Sequence, residues 1–194
     1  MKIVTILLCL FSMNAIADKH KNHLTMTYAT VIKNKDYDKL FHTHGNEKSI
    51  YTSPKRLKAL CGVESKLNPK ARSKEHASGL CQIMPSTWRA LSKKNHSIPR
   101  GGQFNANHSI KAASILLADI SDSLNDLSEG QNKNKIILAS YNAGLGNIRK
   151  AMKRCGSKIF DKIKQCLPAI TSKSNANQTI QYVTSVEGLY LLLD

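Results

Sequence analysis

The sequence predicts a mostly α-helical fold with one small β element, and three observations carry that prediction. Apolar residues recur at spacings of three and four through most of the chain beyond residue 53. Ser, Asn, Pro and Gly punctuate those runs where helices start and stop. A single short stretch, Gly79-Leu80-Cys81-Gln82-Ile83, has the length of a strand.

Each element follows from local chemistry. Residues 18–52 are polar, and Tyr28, Val31, Ile32, Tyr37, Leu40 and Phe41 predict a short helix or two there, followed by a loop over 42–48. Ser53-Pro54 starts a helix, with Ser as N-cap and Pro at the first helical position, and Asn68-Pro69 stops it near Leu67. Residues 70–79 are irregular, and Pro85 opens the next helix. Gly101-Gly102 marks a loop. Ile110, Ala113, Leu117, Ile120 and Leu124 predict an amphipathic helix over 107–127. Another covers 132–142, and Asn147 can cap a short successor. Ser157 can cap a helix reaching Leu167, before Pro168. The last helix covers 177–192 and turns Ile180, Val183, Val186 and Tyr190 inward.

The bulk numbers bound the function. A chain of 194 residues with 41% hydrophobic content suits one globular domain. Met1-Lys2, the apolar run Ile3 to Met13 and Ala15-Ile16-Ala17 together read as a secretory signal peptide over residues 1–17. No later stretch is long and apolar enough to span a membrane. Removing the leader takes Cys9 with it and leaves Cys61, Cys81, Cys155 and Cys166. An even number in an exported chain favours disulfides over zinc, for which His42-x-His44 is weak support. Four cysteines permit three pairings; Cys155 and Cys166 bracket one short helical segment and are paired on that ground. The net charge of +16 could serve nucleic acid, an anionic membrane or an acidic polymer outside the membrane. Export and the lack of a nucleic-acid motif argue against the first. The cations are spread along the chain, so the attraction they produce is expected to be diffuse, and an ordinary solvated surface explains them equally well.

One residue disturbs the helical pattern. Leu57, Leu60, Cys61, Glu64 and Leu67 share a helix face, and only Glu64 is charged. Desolvation favours the neutral form of a carboxyl and raises its pKa, so Glu64 could stay protonated near neutrality and donate a proton to a leaving group. The pattern alone fits equally a glutamate at a helix end whose head reaches water.

The surrounding motifs add to this. "ESKLNPKARS" followed by "SGLCQIMPSTW", then "HSIKAASILL", "ASYNAGLGNIRKA" over 139–151 and "QTIQYV" over 178–183, occur in an order that resembles the soluble lytic transglycosylases, a goose-lysozyme-like family. The resemblance covers about residues 55–192 and leaves 18–52 as an N-terminal segment without assignment. Ser109 and Ala113 stand where the family usually has Asn and Gly, and Cys81 where Met is common.

The resemblance implies a lysozyme-like α+β domain over 53–194 that cleaves the β-1,4 bond between N-acetylmuramic acid and N-acetylglucosamine in peptidoglycan. Carried over, Glu64 is the sole catalytic acid and then the base. Ser73 and Gln82 orient the sugar, Met84 lines the cleft, Tyr141 bonds at or beside the glutamate, Asn142 supports its loop and Tyr182 is a cleft wall. For Ser73 and Asn142 a turn or cap role is as good a reading, and for Met84 and Tyr182 ordinary core packing is. The family's packing of the glutamate helix against "GLCQI" implies a Cys61–Cys81 disulfide. The chain also resembles compact enzymes that accompany secretion, pilus or conjugation machineries; export by the signal peptide makes the expected location the periplasm, and a monomer is expected.

Ordinary glycoside hydrolysis needs two carboxylates, and between Glu64 and Asp119 the only other acid is Glu75, beside Lys74 and His76. A single acid predicts that the substrate assists, through its N-acetyl group and its own C6 hydroxyl, with no metal or cofactor required. The alternatives are a goose-type muramidase that uses water and a peptidoglycan-binding module that retains the fold without activity.

Overall fold

Ser53 begins the central helix as its chemistry demands. Its hydroxyl accepts from the Arg56 backbone N–H, and Pro54 occupies the first turn, where a missing N–H costs nothing. The computed structural model describes residues 28–193; the signal-peptide assignment lies outside them. A helical segment over 28–33 precedes α1 (Asp38–His44), α2 (Pro54–Ser65), α3 (Pro85–Lys94), α4 (Ala106–Asp122), α5 (Gln131–Ala143), α6 (Leu145–Cys155), α7 (Phe160–Cys166), α8 (Pro168–Thr171) and α9 (Lys173–Leu192).

The long terminal helix α9 packs along both α2 and α5, and α4 lies against α1, α2 and α5. This brings Leu57 and Leu60 of α2, Ile110 and Leu117 of α4, Ile136 and Ile137 of α5 and Val186 of α9 into one core. Val31, Phe41 and Tyr51 belong to the same core, so residues 28–52 pack with the helices that follow rather than apart from them. Gly62 explains the close approach: a Cβ there would meet Val31 Cγ1 at 2.7 Å and Leu189 Cδ2 at 3.1 Å. Both disulfides are present, Cys61–Cys81 with a Cα separation of 4.3 Å and Cys155–Cys166 with 5.9 Å.

The structure corrects several local expectations. The expected strand over 79–83 is a turn, and the β element reduces to two isolated antiparallel bridges, Ser78 with Arg72 and Ser78 with Ile83. Gly79 (φ +83°) and Gln82 (φ +51°) occupy the left-handed region, which a strand cannot contain. A side chain at Gly79 would also run into the Gln103 carbonyl oxygen. α2 ends at Ser65 rather than Leu67, because Lys66 and Leu67 take φ values of +57° and +61°. α4 ends at Asp122, and Leu124 and Leu127 are buried from the turns beyond it. Asn147 does not cap α6; it sits in the first turn and its Nδ2 donates to the Ala143 carbonyl. Ser157 bonds the Ile159 N–H ahead of α7 and does not cap that helix. α9 starts at Lys173, capped by Ser172, and buries Ala176, Thr179, Tyr182, Val183, Val186 and Leu189, leaving Ile180 and Tyr190 half-buried.

Candidate active site

The last turn of α2 carries Glu64, and the 79–82 turn is fastened to that helix end from three sides. From α2, the Ser65 hydroxyl donates to the Leu80 carbonyl (2.6 Å) and also accepts the Asn68 N–H (3.0 Å), while Cys61 is bridged to Cys81. From α4, the fully buried Ser109 accepts the Cys81 N–H through its hydroxyl at 3.1 Å. From α5, the Tyr141 hydroxyl donates to the Cys81 carbonyl at 2.8 Å. Both backbone polar groups of Cys81 are thus held by side chains from two further helices, which fixes the turn against the Glu64 helix.

Gln82 adds an internal brace. Its Nε2 donates to the Gly79 carbonyl (2.8 Å) and the Ala71 carbonyl (3.1 Å), which occupies both amide protons and leaves Oε1 as the atom it can present. Ser73 closes the neighbouring turn: its hydroxyl accepts the Ala77 N–H at 3.1 Å and its backbone N–H bonds the Ala77 carbonyl. Its O–H proton stays available to donate. Met84 follows the turn and is 42% exposed.

Glu64 itself keeps partial solvent access, yet protein atoms strip enough water from its carboxyl to push the pKa up to about 8. The Tyr182 hydroxyl works in the opposite direction and favours the carboxylate. That hydroxyl is buried and makes no formed hydrogen bond among the described residues, so it faces Glu64 at a longer separation. Burial raises the phenols of Tyr141 and Tyr182 well above the usual range, and the nearby Glu64 charge raises them further. Both tyrosines therefore remain neutral donors beside the acid at any working pH.

The fold thus gathers Glu64, Tyr141, Tyr182 and, through Cys81, Gln82. Asn142 stands apart: its Oδ1 accepts from the Thr179 hydroxyl at 2.8 Å and ties the end of α5 to the start of α9. There it borders a concavity of about 360 Å³ lined by amide and hydroxyl side chains, among them Asn147, Thr171, Asn175, Gln178 and Thr179. Thr179, which lines it, lies one turn from Tyr182 on α9. Glu75 is exposed on the turn closed by Ser73.

Sequence reasoning missed Ser65, Ser109 and Thr179. Ser65 was visible as the second member of the Glu-Ser pair, and Ser109 as a departure from the family pattern. It also missed a buried charge network beneath the site. Arg56 Nη1 meets Glu187 Oε1 at 2.6 Å, the same oxygen accepts from Asn134 Nδ2 at 2.6 Å, and the Arg56 guanidinium lies 3.8 Å from the Tyr190 ring centroid. Arg56 stands between Lys55 and Lys58, so the local sequence does not mark it as a buried charge.

Comparison with known proteins supports a family assignment. The Transglycosylase SLT domain matches residues 43–164, and the chain belongs to that family. It is 29% identical over 126 residues to a putative soluble lytic murein transglycosylase of Haemophilus influenzae, a match that covers 64% of this chain and 20% of that protein. It is 31% identical over 100 residues to membrane-bound lytic murein transglycosylase D of Escherichia coli, covering 52% of this chain and 21% of that one. Among solved structures, the 70 kDa soluble lytic transglycosylase of Escherichia coli superimposes with a TM-score of 0.63 at 26% identity, over 80% of this chain and 24% of that chain. Its counterpart in complex with bulgecin A gives 0.67 over 91% of this chain and 26% of that chain. The chain spans about a fifth of the length of these two sequence relatives.

Proposed function

We propose that this chain is an exported peptidoglycan lytic transglycosylase with Glu64 as its one catalytic acid and base. The observation that carries this reading is a glutamate desolvated to a pKa of about 8 on which no second carboxylate among the described residues acts. A carboxylic acid still protonated at neutral pH can protonate the oxygen of a glycosidic bond. The C1–O bond then breaks, the departing sugar keeps the proton as its C4 hydroxyl, and the N-acetyl oxygen of the muramic acid closes on C1. In the second step that muramic acid's C6 hydroxyl attacks C1, the C1–oxygen bond to the acetyl group breaks, and the Glu64 carboxylate takes the hydroxyl proton. The product is a 1,6-anhydromuramoyl end and the enzyme returns to its starting protonation state.

The remaining residues have roles consistent with their contacts. Tyr141 holds the 79–82 turn against the acid. Tyr182 faces Glu64 and favours its carboxylate, the state required after the first step. Gln82 Oε1 and the Ser73 hydroxyl orient the sugar, Met84 forms a wall, and Asn142 with the neighbouring amide-lined concavity receives hydroxyl and acetamido groups of the glycan. Over the described residues the domain spans 28–193, since the helices before residue 53 share its core. The leader reading of residues 1–17, the two disulfides and a murein substrate fit a periplasmic enzyme. Service to a secretion, pilus or conjugation apparatus rests on the resemblance alone.

Glu64→Gln keeps the side chain's shape and removes the proton donor. Turbidity clearing of purified sacculi should stop while the helical circular-dichroism spectrum persists. Substantial residual clearing would contradict the assignment.

A further inference from the structure

The fold gathers cations that the sequence scatters. Between Glu75 and Asp119 the chain contains no acid, while Arg89, Lys93, Lys94, Arg100 and Lys111 supply five fixed positive charges. α3 and the segment after it turn Arg89, Lys93, His96 and Arg100 onto one concavity of about 660 Å³, floored by the buried Ile98. No acid lines it. Asp119 does reach α3 from α4, but it pairs with Lys94 at 2.7 Å, a lysine that does not line the concavity. Arg89, Lys93, His96 and Arg100 have no ion-pair or side-chain hydrogen-bond partner among the described residues, and all four are exposed.

The shape of this surface is held in place. The buried Trp88 donates from Nε1 to the Pro99 carbonyl at 3.0 Å, and the Ser92 hydroxyl bonds the same oxygen at 3.4 Å. Those two bonds pin the segment carrying Arg100 across from the face of α3 that carries Arg89 and Lys93. The concavity also has a fixed relation to the candidate active site, because α3 opens at Pro85, directly after Met84 and the 79–82 turn.

We infer that this concavity docks the carboxylate-bearing peptide stems of the glycan substrate, outside the cleft that holds the sugars. The inference rests on the peptidoglycan reading of the active site and names the part of the substrate that this second surface recognises. An anionic bilayer is the less suitable partner. A planar surface engages projecting residues with apolar tips, and among the described residues none of the exposed large hydrophobic ones, Ile50, Met84, Phe104, Ile159, Leu191 and Leu192, lines the concavity. A short flexible peptide with carboxylates at intervals can enter a recess and meet separate cations.

The test uses the full-length mature protein and the variant Arg89→Gln/Lys93→Gln/Arg100→Gln, whose sites are exposed and carry no structural contact. Titration with stem tetrapeptide released from murein, followed by amide NMR shifts, should move α3 and the 98–100 segment in the wild type. The affinity should fall about tenfold in the variant, the combined effect of three exposed ion pairs. Methyl-esterifying the peptide carboxylates should weaken wild-type binding by a similar factor. Cleavage of glycan strands stripped of peptides should be equal in the two proteins, whereas KM for peptide-bearing strands should rise in the variant alone. Unchanged peptide affinity in the variant would overturn the inference. So would co-sedimentation with phosphatidylglycerol vesicles, lost in the variant, from a protein that ignores the peptide. If neither protein cleaves any glycan while peptide binding and its loss in the variant persist, the docking surface stands and the catalytic reading falls.

Discussion

Glu64 makes the pH dependence of stability calculable in sign. Below pH 4.5 the carboxyl is protonated whether the chain is folded or not. Between that value and about 8 the unfolded chain has released the proton and the folded one retains it, so stability falls as pH rises, and the loss is complete once the folded group ionises. Glu64→Gln should therefore leave stability unchanged below pH 4.5 and raise it above pH 8, by roughly 3 kcal/mol after allowing for the group's partial solvent access. Denaturant midpoints across that range check the trend; a variant equally stable relative to wild type at both ends would mean that Glu64 is not desolvated. Glu75 differs in kind. It is exposed on a turn and has no ion-pair partner among the described residues, so Glu75→Gln should leave the rate of sacculus clearing within about twofold. A large loss would point to a second acid and to hydrolysis.

At the scale of the element, the 79–82 turn decides whether the acid is usable. Its disulfide closes 20 residues and the Cys155–Cys166 bridge closes 11, so chain entropy alone gives each about 3 kcal/mol of stabilisation. Function should separate them. Replacing Cys61 and Cys81 by Ala should cost activity at least tenfold, because misplacing a catalytic group by about an ångström has such effects. Replacing Cys155 and Cys166 should cost similar stability and little activity. Equal activity loss in both double variants, measured where both are folded, would remove the turn's special role. The Arg56–Glu187 pair holds α2 to α9 from beneath. Glu187→Gln would leave a buried guanidinium without its charge partner and should destabilise by about 3 kcal/mol, read as a shift in denaturant midpoint. An apolar replacement of both partners should recover much of that loss.

Much of this architecture was legible in the residues, for identifiable reasons. Ser53-Pro54 announces α2, and the spacing of Ile110, Ala113 and Leu117 announces α4, because caps and periodicity are local properties. The turn at 79–82 was not legible as a turn. A short apolar run is buried equally well by a strand or by a coil braced with side chains, and the braces come from Ser65, Ser109 and Tyr141 on three other helices. On α9, Val183 and Val186 turn inward as their spacing predicts, whereas Ile180 and Tyr190 stay half-buried and Thr179 is buried in their place, because α5 lies on that side. Glu64 could be singled out as anomalous, but its pKa depends on neighbours far away in the chain.

At the scale of the molecule, the helices assemble two surfaces from one segment. The 79–82 turn closes on the acid, and α3, which starts three residues later, carries the basic concavity. A net charge of +16 draws the whole protein toward an acidic polymer over about a Debye length, ~8 Å at physiological salt, and the concavity gives that attraction a place to act. The central claim is that one carboxyl serves as both acid and base and that the substrate supplies its own nucleophile. Mass spectrometry of the muropeptides released from purified sacculi tests it most directly, since an anhydro end and a reducing end differ by one water. Products ending in 1,6-anhydromuramic acid, absent with Glu64→Gln, are the predicted result; reducing ends that take up labelled oxygen from water would contradict it.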